Sequence, residues 1–158
     1  MNILTGSIST YVFTMLHGRP AFLVLFRAPH LLNANTWQAV HGMVDAGEKA
    51  YDAAWRETHE ETGLEPDRFF KLDYVETFYN EISDAVHLVP AFAAHVTGAP
   101  GARLSEEHTA YDWCDLEETV ERFVWPSQRE AVRIIAESVQ PWPDVGAGMR
   151  DITGMFRR

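Results

Sequence analysis

Four glutamates, Glu48, Glu57, Glu60 and Glu61, fall within the stretch "GMVDAGEKAYDAAWRETHEETGL" that runs from Gly42 to Leu64. On a helix, Glu57 and Glu61 stand about 40° apart and one turn from each other, and Glu60 borders the same face. Two carboxylates about 4 Å apart repel by roughly 4 kcal/mol at an effective dielectric near 20, which raises their pKa values. A hard divalent cation relieves that repulsion, and carboxylate oxygens are the ligands that Mg²⁺ and Mn²⁺ prefer. The alternative is a solvated acidic face on which Arg56 and Lys49 act as partial partners. Charge alone does not separate the two.

These residues must be positioned by elements, and the pattern of the chain predicts them. Residues 7–16 and 21–28 are rich in β-branched and aromatic side chains and read as strands, with "HGRP" as the turn between them. A short strand follows at 37–42. A helix runs from Glu48 or Lys49 to Thr62, with Ala50, Ala54 and Thr58 spaced by four and Gly63 as its C-cap. Longer strands are predicted at 69–79 and 85–96, a short one at 110–115, and an amphipathic helix at 127–139 with Ala131, Ile134 and Ile135 inward. From Pro141 onward, closely spaced glycines and prolines predict a loosely packed tail. The expectation is one α/β domain over 1–140 with a tail at 141–158.

Composition narrows the function. Thirteen basic against twenty-three acidic residues give a net charge of −10, which argues against broad nucleic-acid or anionic-membrane binding. Cys114 is the only cysteine, so neither an internal disulfide nor a cysteine zinc site is available, and it reads as a small buried hydrophobe. "MNILTGSIST" lacks the basic start and apolar run of a signal peptide, and "PAFLVLF" is too short to span a bilayer. A soluble, cytoplasmic protein is the default expectation.

The spacing of the acidic stretch matches the Nudix box, G-x5-E-x7-R-E-U-x-E-E-x-G-U with U apolar. Gly42, Glu48, Arg56-Glu57, Glu60-Glu61, Gly63 and Leu64 occupy its fixed positions, and Thr58 is the one departure. The chain thus resembles the Nudix hydrolases. That resemblance implies an α/β/α sandwich, with a mixed sheet between the box helix on one side and the C-terminal helix on the other. It also implies a metal-dependent attack of water on a phosphorus. Carried over by position, Glu57, Glu60 and Glu61 are the catalytic carboxylates and metal ligands, with Glu60 a ligand or the general base. Arg56 is implied to pair with Glu48 and brace the loop, and a backbone carbonyl of His41 or Gly42 is a further candidate ligand.

The flanks extend the likeness. "WQAVHG", "EEHTAYDW" and the tryptophan of "WPSQREAV" resemble the bacterial nucleoside triphosphate and dihydroneopterin triphosphate pyrophosphohydrolase branch. By this analogy Glu107 is a fourth carboxylate at the metals, while Arg27, Trp37, His41 and His108 are candidate substrate contacts. Arg27 would clamp phosphate, because a guanidinium matches two of its oxygens. The implied substrate is a nucleoside triphosphate or related pterin triphosphate, split to monophosphate and pyrophosphate with Mg²⁺, or Mn²⁺ as its substitute. The alternatives are a dinucleoside polyphosphate or nucleotide-sugar hydrolase, for which Tyr79 is the one pointer, and a silent binding domain, which the retained glutamates disfavour. The implied partner is a small nucleoside polyphosphate, with no nucleic acid or membrane. A homodimer is compatible with the resemblance.

Overall fold

The strand-forming runs of the sequence are strands in the computed structural model, which describes residues 1–156. In chain order the elements are β1 (Asn2–Leu4), β2 (Ser7–Leu16), β3 (Arg19–Arg27), β4 (Trp37–Gln38), β5 (Val40–Met43), α1 (Ala50–Thr62), β6 (Arg68–Asn80) and β7 (Ala85–His95). Then come β8 (His108–Cys114), α2 (Leu116–Arg122), α3 (Pro126–Ser138), β9 (Met149–Asp151) and a 3-10 turn at Thr153–Met155. The strands join in one mixed sheet along the path β4-β3-β2-β7-β6-β9, with β1 added to β7, β5 to β2 and β8 to β3. The β1–β7 and β2–β7 pairs are parallel and the other strand pairs antiparallel. Among the described residues no helix is long and apolar enough to cross a membrane.

Both faces of the sheet are covered, so the alternation of side chains along each strand sorts them into two cores. Ile8 and Val12 of β2, Leu23 and Leu25 of β3, and Phe92 and Ala94 of β7 pack with Ala53 and Ala54 of α1. Tyr11 and Phe13, Phe22 and Val24, and Ala91 and Ala93 of the same strands pack with Ala131, Val132 and Ile135 of α3. The two helices therefore lie on opposite sides of the sheet, which is the α/β/α sandwich. α3 starts with Pro126 in its first turn, where the missing N–H costs nothing.

Three local departures from the sequence reading have physical causes. The run 37–42 is two strands, since Trp37 and Gln38 pair with β3 whereas Val40 to Met43 pair with β2. α2 went unread because its seven residues are too few to show a period. Its N-cap signal is present, for the Asp115 carboxylate accepts from the Glu118 N–H. The third concerns the segment after Pro141, which is not loosely packed up to Phe156. Trp142 stands edge-on to Phe13 at 5.8 Å, the Arg68 guanidinium lies 4.9 Å from its ring, and β9 pairs with β6. On the opposite face Phe156 stacks on Trp55 of α1 at 4.3 Å. The glycines and prolines shape the turns of a strap that rounds the sheet edge; the aromatics between them anchor it. Arg157 and Arg158 of the predicted tail lie outside the described residues.

Truncating Trp142 tests that anchoring. Trp142→Ala is expected to cost about 2–3 kcal/mol, less than a fully buried tryptophan because the ring is half-buried. Urea unfolding followed by circular dichroism measures it, and an unchanged midpoint would return the segment to a loose tail.

Candidate functional site

α1 carries the acidic stretch, and its buried stripe explains which glutamate goes inside. Ala54, Thr58, Glu61 and Thr62 recur at three- and four-residue spacing and are all buried. Thr58 occupies the position where the box pattern has an apolar residue, and its hydroxyl donates to the Ala54 carbonyl at 2.7 Å, so no polar group is orphaned there. Gly63 ends the helix in the left-handed conformation (φ 67°), with its N–H on the His59 carbonyl. Glu60 points to solvent.

Arg56 ties the helix to the loop before it. Its Nε and Nη2 donate to the two carboxylate oxygens of Glu48 at 2.9 and 2.8 Å, and Nη2 also donates to the Met43 carbonyl. Nη1 donates to Glu57 at 2.8 Å and to Glu60 at 3.3 Å. The Arg56 bonds and the Asp45 N–H hold the Glu48 carboxyl down to about 2. Gly42 faces Glu57 so closely that a Cβ would lie 2.2 Å from its side-chain carbons, so only glycine leaves room for this carboxylate.

The remaining acid arrives through strand pairing. Arg27 pairs with His108 across the β3–β8 ladder, after a register shift at Phe26/Arg27. The guanidinium Nη1 donates to Glu107 Oε2 at 2.8 Å. Ligand atoms of Glu61, Glu107 and His108 lie within 4.8 Å of one another. Glu61 is 2% exposed, and neither of its oxygens has a hydrogen-bond partner. Burial, with like charge from Glu107 and Glu57, pushes its carboxyl up to about 9. Burial and then the Arg27 charge hold His108 down to about 4. At neutral pH both groups are therefore uncharged, and the 3.8 Å approach of His108 Nδ1 to Glu61 is not an ion pair. Burial also raises Glu57, against the opposing Arg56 bond.

A buried carboxylate without partners is uncommon and needs a reason. A hard divalent cation fits these donors, since Glu61, Glu57 and Glu107 offer oxygens of matching preference and Glu61 has lone pairs to spare. The structure thus brings Glu57, Glu61, Glu107, Arg27 and His108 together, with Gly42 beneath Glu57 and Glu60 at the rim. His41 neighbours Gly42 on β5, with Nδ1 3.3 Å from the Ser9 hydroxyl. Trp37 is placed differently: its ring is flanked by Phe26 at 4.9 Å and the Arg122 guanidinium at 4.7 Å, half-buried against the α3-side core. Ser9, buried beside His41, and Glu76, buried beside Ser9, escaped the sequence reading. The signal available for Glu76 was the alternation Leu72, Tyr74, Glu76, Phe78, which puts an acid on an inward-facing register.

Comparison with known proteins identifies the family. The NUDIX domain model matches residues 8–134. A Myxococcus xanthus octanoyltransferase is 37% identical over 99 residues, 61% of this chain, but the chain spans only 28% of that protein's length. The asymmetrical bis(5'-nucleosyl)-tetraphosphatase of Caenorhabditis elegans is 30% identical over 112 residues, covering 69% of this chain and 78% of that one. The E. coli dihydroneopterin triphosphate pyrophosphohydrolase superposes with a TM-score of 0.70 at 21% identity, over 82% of this chain and 93% of the other. The chain belongs to the NUDIX family.

Two variants test the site's electrostatics and its packing. The folded-state pKa of Glu61 lies above its unfolded value, so without metal the fold loses stability as pH rises from about 4.5 toward 9. In chelator, Glu61→Gln is expected to be more heat-stable than the wild type, by a margin that widens between pH 5 and 9. Thermal unfolding across that range checks it, and a constant or reversed margin would refute it. Gly42→Ala is expected to displace Glu57 and weaken Mn²⁺ binding by about tenfold or more with the fold retained. Unaltered Mn²⁺ affinity by calorimetry would contradict that role for Gly42.

Proposed function

We propose that this protein is a Mg²⁺-dependent pyrophosphohydrolase that cleaves a nucleoside triphosphate or a related pterin triphosphate to the monophosphate and pyrophosphate. The observation that carries this reading is the buried, unpartnered Glu61 carboxylate grouped with Glu107, whose other neighbour is the Arg27 guanidinium. Carboxylates that need a cation stand beside a cation that suits an anion, which is the charge pattern a metal–diphosphate complex requires.

In this reading Glu57, Glu61 and Glu107 hold the metal, and the chemistry a divalent ion supplies when bound is charge neutralisation at the diphosphate and a lowered pKa for water. Arg27 orients the phosphates and, through Glu107, keeps that carboxylate aimed at them. Glu60, exposed and only weakly held by Arg56, is free to accept a proton as the general base. His108, neutral and buried, backs Glu61 and excludes water behind it. Arg56 and Glu48 fix the loop and keep Glu57 in place.

A second reading has its own support. The C. elegans relative is named for cleaving dinucleoside tetraphosphates, and it aligns over most of its length. Tyr79 is half exposed, with its hydroxyl donating to Asp84 at 3.0 Å, where it could meet a second nucleoside.

A substrate panel with Mg²⁺, products resolved by chromatography, separates the two. Pyrophosphate with a monophosphate from a triphosphate is the expected result; cleavage of dinucleoside tetraphosphates alone would replace it with the second reading. Glu57→Gln and Glu107→Gln are each expected to lower kcat by about 100-fold or more while the far-ultraviolet circular dichroism is unchanged. Near-wild-type rates in both would remove them from the metal site.

A further inference from the structure

The α1 face of the sheet holds the acidic site, but a second polar group lies on the α3 face and the phosphate chemistry does not use it. Its centre is Glu76 of β6, 3% exposed. The Tyr11 hydroxyl, itself buried, donates to Glu76 Oε1, and the hydroxyls of Ser9 and Ser127 lie beside the same carboxyl. Burial raises the Glu76 pKa, and these hydroxyls oppose the rise. Three elements meet there, because Tyr11 and Ser9 are on β2, Glu76 and Tyr74 are on β6, and Ser127, whose carbonyl accepts from Tyr74, is in the first turn of α3.

The group is continuous with the acidic site. Ser9 lies 3.3 Å from His41 Nδ1, and His41 is within electrostatic reach of Arg27 and Glu107. Two residues beyond Glu76 on the same face, Phe78 stacks parallel on His87 of β7, at 4.8 Å and 4°. The Phe78 ring is 41% exposed, and His87 Nε2 is buried without a partner. A flat aromatic face lies two residues along the strand from a buried carboxylate, at the end of a polar strip that starts at Arg27 and Glu107, and together these groups match a planar heterocycle with N–H donors.

We infer that Glu76, with the Phe78–His87 stack, forms the heterocycle pocket of this protein and selects a 2-amino-4-oxo pyrimidine edge, the edge shared by guanine and pterin. The inference rests on the proposed nucleotide hydrolysis. That edge presents two adjacent donors, a ring N–H and an amino group, which a carboxylate accepts together. Adenine presents one donor beside a ring lone pair, which a carboxylate repels. A buried acid therefore discriminates by leaving the wrong heterocycle unpaired. Glutamine at the same position offers one acceptor and one donor, the complement of adenine.

The test is kcat and KM for dGTP, dATP, dihydroneopterin triphosphate, and diguanosine and diadenosine tetraphosphate, on wild type, Glu76→Gln and Phe78→Ala. Equilibrium binding of GMP and AMP runs alongside. The wild type is expected to favour guanine over adenine by about tenfold or more, and Glu76→Gln to abolish or invert that ratio. Phe78→Ala is expected to raise KM about tenfold with kcat retained. A wild type without guanine preference, or an unchanged ratio in Glu76→Gln, overturns the inference. If Glu76→Gln does not fold, an unchanged KM in Phe78→Ala overturns it instead. Cleavage of tetraphosphates alone would defeat the triphosphate reading, while the guanine-to-adenine ratio would still decide the pocket. If nothing is cleaved, the GMP-to-AMP binding ratio decides it: a preference for GMP that Glu76→Gln removes supports the pocket, and equal affinities overturn it.

Discussion

One guanidinium sets the shape of the acidic site. Arg56 bonds both oxygens of Glu48, the Met43 carbonyl, Glu57 and Glu60, and so joins the loop before α1 to the carboxylates on it. Without that charge, Glu57 and Glu60 would face each other and Glu48 with only water to screen them. Its bidentate hold on Glu48 also fixes where the loop enters the helix. That entry places Gly42 under Glu57, in the gap that a β-carbon would fill. The brace serves the site by geometry as much as by charge, since each bond it makes ends on a group that must stand still.

Charge is treated in opposite ways at two glutamates of the same stretch. Glu48 is ionised and fully paired, whereas Glu61 is buried, unpaired and held in its neutral form. The first is an ordinary structural ion pair. The second is a liability to the fold that the Arg27 charge and the His41 backbone offset only in part, and such costs are characteristic of functional positions. The contrast separates a residue that braces the loop from one whose charge the surrounding packing disfavours.

Much of this was legible in the sequence, though unevenly. The helix with its acid spacing, the long strands and the two-sided sheet follow from periodicity and from the fixed positions of the box, which constrain backbone and chemistry together. The proximity of Arg27 to Glu107 was not readable from spacing, because an eighty-residue separation is closed only by the β3–β8 pairing. Trp37, beside the box in sequence, faces the other core, since the chain changes pairing partner at Ala39. The strap after Pro141 escaped because its anchors, Trp142, Met149, Ile152 and Phe156, follow neither a helical nor a strand period. Glu76 escaped for another reason: a single acid in a strand looks solvated until the opposite face is known to be covered.

The sheet's alternation has an evolutionary corollary. His41 and Gly42 are consecutive on one strand, yet the first meets Ser9 on the α3 side and the second seats Glu57 on the α1 side. The acidic group and the surface beside Ser9 and Glu76 are thus built from neighbouring residues whose side chains face opposite ways, joined where His41 comes within electrostatic reach of Arg27 and Glu107. A scaffold of this kind can change what it admits through substitutions on β6 and β7 while the acidic helix keeps its sequence. Duplicated copies would then diverge in diet long before they diverge in chemistry.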